Sequence, residues 1–150
     1  MRIRSARLGA LEIDVAEIIT FPDGIIGFPD YKRYVELEFL EDSPLRLLQA
    51  VDEPDLGFII IDPLLFAPDY VVDISKEDMR SLNAESLDSL AARAIVTIPE
   101  DPYEMTANLQ GPLVINASTR LARQIVNNDN RYGTKHKVLA NPEAPSPVGT

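Results

Sequence analysis

A single histidine, His136, and no cysteine in 150 residues restrict the side-chain chemistry open to this chain. A lone imidazole has no second histidine with which to bind a metal or share proton transfer. His136 lies in Thr-Lys-His-Lys near the end of the folded part and reads as a surface or capping residue. Without thiols there are no disulfides, thiolate metal sites or cysteine nucleophiles. Carboxylates are plentiful, 24 Asp and Glu in all, but Glu53–Asp55 and Glu100–Asp101 flank prolines, where turns want such residues. The glycines never adopt G-x-G-x-x-G or G-x-x-x-x-G-K-[ST] spacing, and the acidic spacing does not fit an EF-hand. The expectation is a non-enzymatic protein with no metal and no cofactor.

Charge narrows the class of partner. The formal net charge is −10 and the pI about 4.5, so the molecular field repels polyanions. The basic stretch from Arg120 to Lys137 carries one aromatic, Tyr132, too few for a base-stacking platform, so no direct nucleic acid is expected. Between Tyr34 and Asp73 there are ten acidic residues (Glu36, Glu38, Glu41, Asp42, Asp52, Glu53, Asp55, Asp62, Asp69, Asp73) against one basic, Arg46. That stretch reads either as solvated strand and loop faces or as an acidic docking surface for a basic partner. Met1 to Arg7 does not resemble a signal peptide, and no apolar run approaches a membrane span. A soluble, cytoplasmic chain is expected.

The elements that must position these residues are mostly strands. Turn residues recur every ~8 to 12 positions, the punctuation of an all-β or β-rich fold. Arg2 to Arg4, Leu11 to Val15 and Tyr34 to Phe39 read as strands, the last two alternating with one buried face. Leu45 to Val51, Leu56 to Ile61, Ala94 to Ile98 and Leu113 to Ile115 are further strands. Phe58-Ile59-Ile60-Ile61 is apolar on both faces and predicts a covered central strand. Phe21-Pro22-Asp23-Gly24 is a turn in which proline presets φ and glycine accepts φ > 0. Ser75 followed by Asp78 approximates a capping box for a helix stopping at Asn83, and Ser86 to Ala92 predicts a second short helix. Thr119 to Val126 fits a Thr-capped helix or a strand, and strand is preferred. The whole is a mostly β, small β-barrel-like single domain over 1–139, with one or two short helices. From Ala140 to Thr150, repeated prolines and few apolar residues predict a disordered tail.

Several separated segments carry a resemblance. Ile18-Ile-Thr-Phe-Pro-Asp-Gly-Ile-Ile-Gly-Phe28 supplies Phe21, Gly24, Gly27 and Phe28, and Ser43-Pro-Leu-Arg-Leu-Leu-Gln49 supplies Gln49. Asp62-Pro63 is followed by Pro68-Asp69-Tyr70. Thr106-Ala-Asn-Leu109 leads to Gly111-Pro112 and Asn116, with Gln124, Tyr132 and His136 after it. In order and spacing this resembles the flagellar assembly factor FliW family, from Leu8 to about Val138.

The resemblance implies a small β-barrel-like protein without catalysis that binds flagellin and the RNA-binding translational repressor CsrA. Sequestering the repressor would free flagellin mRNA for translation, and accumulating flagellin would capture the factor in turn. The alternative is a chaperone-like flagellin binder with no role in translation. An RNA-binding repressor presents basic surface, so Asp52, Glu53, Asp55, Asp69 and Asp73 are the expected contacts, with Tyr70 as an aromatic anchor. Asn108, Gln110 and Asn116 read as buried amides closing loop backbone groups. Phe21, Phe28, Phe58 and Phe66 read as core.

Overall fold

The alternating and apolar runs become strands in the computed structural model, which describes residues 1–139. The expected tail, Ala140 to Thr150, lies outside the described residues. Strands β1 (Arg2–Ser5) and β2 (Gly9–Glu12) form a hairpin by themselves. The others are β3 (Ile19–Thr20), β4 (Arg33–Glu38), β5 (Arg46–Ala50), β6 (Gly57–Ile61), β7 (Leu90–Thr97), β8 (Thr106–Ala107), β9 (Leu113–Asn116), β10 (Ala122–Gln124) and β11 (His136–Lys137). They form one sheet in the order β10-β9-β7-β6-β5-β4-β3, with β8 against β7 and β11 against β8. The Thr20 N–H donates to the Arg120 C=O at 2.8 Å, making an isolated bridge between Thr20 and Leu121. One bridge is not a ladder. The two ends of the strand order meet there, but the sheet is not closed into a barrel.

Period-two alternation places the core on both faces of the central strands. Leu48 and Ile60 pack with Ile19, Phe21, Tyr34 and Leu113 on one face. Leu47, Ile59 and Ile61 pack with Tyr70, Ala94, Met105 and Leu109 on the other. The β1–β2 hairpin closes over Val35 and Val51 through Ile3 and Ile13. Helix α1 (Lys76–Ser81) has the expected box: Ser75 Oγ accepts from the Asp78 N–H and Asp78 Oδ2 from the Ser75 N–H, each at 3.0 Å. Leu82 beyond it is fully buried against Val114 and Ile125, so the helix is held by β9 more than by its own length.

Three expectations change. Ser86 to Ala92 is no helix: its polar half makes one 3-10 turn, Leu87–Ser89, and β7 begins at Leu90. Pairing with β9 across Leu90–Arg93 outweighs the helix propensity of two alanines. The strand expected over Leu11 to Val15 is shorter: β2 ends at Glu12, Ile13 still exchanges two hydrogen bonds with Met1 at 2.8 and 3.0 Å, and the chain then turns. Asp14 then caps a 3-10 turn, Val15–Glu17, by accepting from the Ala16 N–H at 2.9 Å. Phe28, read as core, is 39 % exposed and meets Phe58 edge-on at 5.5 Å. The preference for strand over helix at Thr119 to Val126 holds in β10.

Tyr34 is fully buried, edge-on to Phe21 at 5.4 Å. Its hydroxyl has no hydrogen-bond partner among the described residues. Burial, with the neighbouring Tyr31 as second cause, pushes its pKa from 10.0 up to about 12. The folded state therefore holds this proton more tightly than the unfolded chain does. That contribution is complete below about pH 10 and lost as pH rises through about 12. Tyr34→Phe is expected to be neutral or slightly stabilising at pH 7, since it deletes an unpaired buried hydroxyl. It should also flatten the fall in stability between those two pH values, measured by denaturant unfolding across the alkaline range.

Candidate partner-binding surface

The amide side chains singled out in the sequence hold loops together. Gln49, 1 % exposed, directs Nε2 at the carbonyls of Leu56, Ala50, Glu53 and Pro54, at 3.0, 3.1, 3.2 and 3.3 Å. It thereby gathers the β5–β6 turn around itself. Asn116 donates from Nδ2 to the Leu82 C=O at 2.9 Å and accepts the Ser118 N–H at Oδ1, also at 2.9 Å. Asn108 Oδ1 accepts the N–H groups of Gln110 and Gly111 at 3.0 and 2.9 Å. Gln110, expected among the buried amides, is exposed, and its backbone carbonyl accepts the Asn127 N–H. Gln124 accepts the Ile26 N–H at 2.8 Å and donates to the Gly111 C=O at 2.9 Å. Segments about a hundred residues apart in the chain thus meet at one junction.

The remaining motif residues also shape backbone. Phe21 is fully buried, Gly24 and Gly27 have φ of +69° and +91°, and Pro112 is buried, its C=O accepting the Ile125 N–H. Pro63 opens a 3-10 turn, Pro63–Leu65, capped by Asp62. Pro68 and Asp69 occupy a turn closed by the Tyr70 N–H on the Ala67 C=O. His136 stands beside the Phe66 ring at 5.6 Å. Among the described residues no group of three or more His, Asp or Glu is placed to hold a metal ion.

Along the chain the acidic residues fall into two groups. Asp52, Glu53 and Asp55 lie in the β5–β6 turn, whereas Asp69 and Asp73 follow the far end of β6. Five strand residues separate the two ends, about 16 Å. Asp52 is held by Arg33 in a bidentate pair at 2.6 and 3.1 Å, and Glu36 lies 3.0 Å from Arg93 and 3.8 Å from Arg46. Asp55 is exposed and, with the half-buried Glu53, borders a concavity containing Phe28 and Tyr31.

Tyr70 is 7 % exposed, and its hydroxyl donates to the Leu109 C=O at 2.6 Å. Burial raises its pKa, and the nearby amide of Asn127 opposes the rise. Its ring packs edge-on to Tyr132 at 4.7 Å. A side chain so enclosed serves packing, and the part of the expected aromatic anchor that a partner can reach is the part that lines the groove beside it. Tyr70→Phe is expected to cost about 1–2 kcal/mol, by orphaning a buried carbonyl, and to leave partner affinity unchanged. Affinity falling with stability intact would restore the anchor.

Near Tyr70 lies an apolar groove of about 350 Å³, lined by Leu64, Val72, Ile74, Leu87 and Leu90, with Asp62 and Arg93 at its rim. Leu64 and Leu87 are 53 % and 62 % exposed.

Known proteins share this fold. The model of the FliW protein family matches residues 2–138. The chain belongs to the FliW family. The flagellar assembly factor FliW of Treponema denticola is 42 % identical over 140 residues, 93 % of this chain and 95 % of that one. That of Alkaliphilus metalliredigens is also 42 % identical, over 93 % of this chain and 86 % of its own. A crystal structure of a flagellar assembly factor FliW superposes with a TM-score of 0.88 at 32 % identity, covering 95 % of this chain and 99 % of that one. FliW is a family of assembly factors and not a known family of enzymes.

Within the FliW frame, sequence reasoning found the scaffold and missed the groove. Leu64, Leu87 and Ile74 were not singled out, because each falls in a loop or beside a short helix where no period marks it. The one available signal was Leu64-Leu65 directly after a proline, apolar residues in a segment with no buried face of its own.

Proposed function

We propose that this protein acts in the cytoplasm as a non-enzymatic flagellar assembly factor that binds flagellin and sequesters a CsrA-type RNA-binding repressor. Partner switching follows: the factor frees flagellin mRNA by holding the repressor, and rising flagellin competes for the factor. The observation that carries this reading is the FliW family match over residues 2–138. Charge supports the repressor half. A protein that binds RNA presents cations, and this chain carries a net −10 with Asp55 and Asp69 exposed and in no ion pair among the described residues. Asp52 contributes through the same field, although Arg33 partly neutralises it; Glu53 and Asp73 add to it.

The test is calorimetry against the cognate repressor and against flagellin, each at two salt concentrations. Salt-sensitive repressor binding that disappears when flagellin is added first supports the switch. Binding to flagellin alone leaves a subunit chaperone without a translational role. Asp55→Lys with Asp69→Lys is expected to slow repressor association about tenfold at low salt and to leave folding intact, both side chains being exposed. Unchanged association at low salt would remove the acidic residues from the interface.

A further inference from the structure

Strand β7 is only half covered. On one side β9 pairs with Leu90–Arg93. On the other, β6 reaches only Ile95 and Ala94, through Ile60 and Ile61. Continuing that register would place Pro63 opposite Ala92, but proline has no N–H, and the chain turns there into the Asp62-capped 3-10 turn. The phase of the ladder follows from the Ala117 N–H donating to the Ser89 C=O at 2.8 Å. Residues 89, 91 and 93 therefore direct their backbone groups to β9, and Leu90 and Ala92 direct theirs to the open side. The Leu90 N–H is taken by the Leu87 C=O. The Ala92 C=O is met only by the guanidinium of Arg93 at 2.9 Å, and the Ala92 N–H has no acceptor among the described residues.

That open edge forms a wall of the apolar groove. Two independent features thus coincide: the Leu90 C=O and the Ala92 N–H, both on the open side and without a partner among the described residues, and a hydrophobic trough for a visiting strand's side chains. Charge sets the sign of the visitor. Arg93, the cation at the rim, is tied to Glu36 at 3.0 Å, whereas the Asp62 carboxylate is in no ion pair among the described residues.

We propose that an extended apolar segment of a partner polypeptide, carrying a lysine or arginine, docks here as an added strand. Its backbone bonds Ala92, an apolar side chain enters between Leu64 and Leu87, and its cation faces Asp62. The inference is independent of which partner supplies the segment.

The test titrates the full ¹⁵N-labelled chain with an acetylated eight-residue peptide of alternating valine and threonine ending in lysine. Amide shifts are expected to centre on Leu90–Arg93, with slowed hydrogen exchange at Ala92. N-methylation of alternate peptide nitrogens should weaken binding roughly tenfold by removing main-chain hydrogen bonds. A glutamate in place of the peptide lysine should weaken it several-fold, about the size of an exposed charge contact, and Asp62→Asn should erase that difference. The asparagine retains the oxygen that caps Leu64. Leu87→Glu, at an exposed position, should block binding without unfolding the chain. Shifts centred elsewhere, or equal affinity for the N-methylated peptide, would overturn the proposal. So would sedimentation showing a dimer that Leu87→Glu converts to monomer, since a second copy would then be the occupant.

Discussion

Gly24→Ala is expected to destabilise this protein by about 3 kcal/mol or more, through a single added methyl group. Gly24 has a φ of +69°, a region that L-residues with a side chain enter at a cost. A Cβ there would sit 2.6 Å from Pro29 Cα, 2.7 Å from the Phe28 carbonyl oxygen and 2.9 Å from that of Pro29. All three are backbone atoms, so no rotamer change relieves the overlap. The whole Phe21 to Pro29 loop would have to move, and with it the Ile26 N–H that Gln124 accepts. Gly27→Ala is the control: φ is +91° but nothing lies within 4 Å of its Cβ, so only the conformational cost of about 1 kcal/mol remains. Urea unfolding of both variants decides the matter. Equal losses would mean that the close approach of Pro29 carries no weight.

Gln49→Leu is expected to cost about 3 kcal/mol despite keeping the shape of the side chain. One amide nitrogen, with two hydrogens, lies within 3.3 Å of four carbonyls of its own hairpin, and the Gln49 side chain is almost wholly enclosed. Leucine would leave the Ala50 C=O with no donor and take one donor each from the carbonyls of Leu56, Glu53 and Pro54, which keep their backbone partners; an unmet buried acceptor costs more than a made hydrogen bond contributes. The damage should also be local. The Ala6 N–H donates to the Pro54 C=O at 2.8 Å, which holds the β1–β2 hairpin onto the same turn. Faster hydrogen exchange is therefore expected at Ala6 and Leu56, ahead of the centre of β5. A loss below about 1 kcal/mol would show that the turn closes without its glutamine.

The two variants act on residues that the sequence marked for different reasons. Gly24 was legible as a turn residue because Pro-Asp-Gly has a conformational meaning of its own. Gln49 was visible only as part of a recurring pattern, since a glutamine in an apolar strand does not announce which carbonyls it will meet. Asn116 and Gln124 are the same case, their partners lying 34 and 98 positions away. The acidic stretch went the other way. It looked continuous from Tyr34 to Asp73, yet β6 separates its halves and Arg33, Arg46 and Arg93 approach two of its members.

The strands whose burial is periodic, the capped helix, the turns with fixed φ preferences and the acidic net charge were all legible in the residues alone. Each of these depends on residues within a few positions of one another or on a sum over the chain. That Ser86 to Ala92 yields to a strand, that Tyr70 turns inward onto Leu109, and that the Leu90 and Ala92 side of β7 borders a groove emerged with the packed fold. Those outcomes depend on which distant segment arrives alongside, and the free energy of a ladder or a buried ring exceeds the local propensity it overrides.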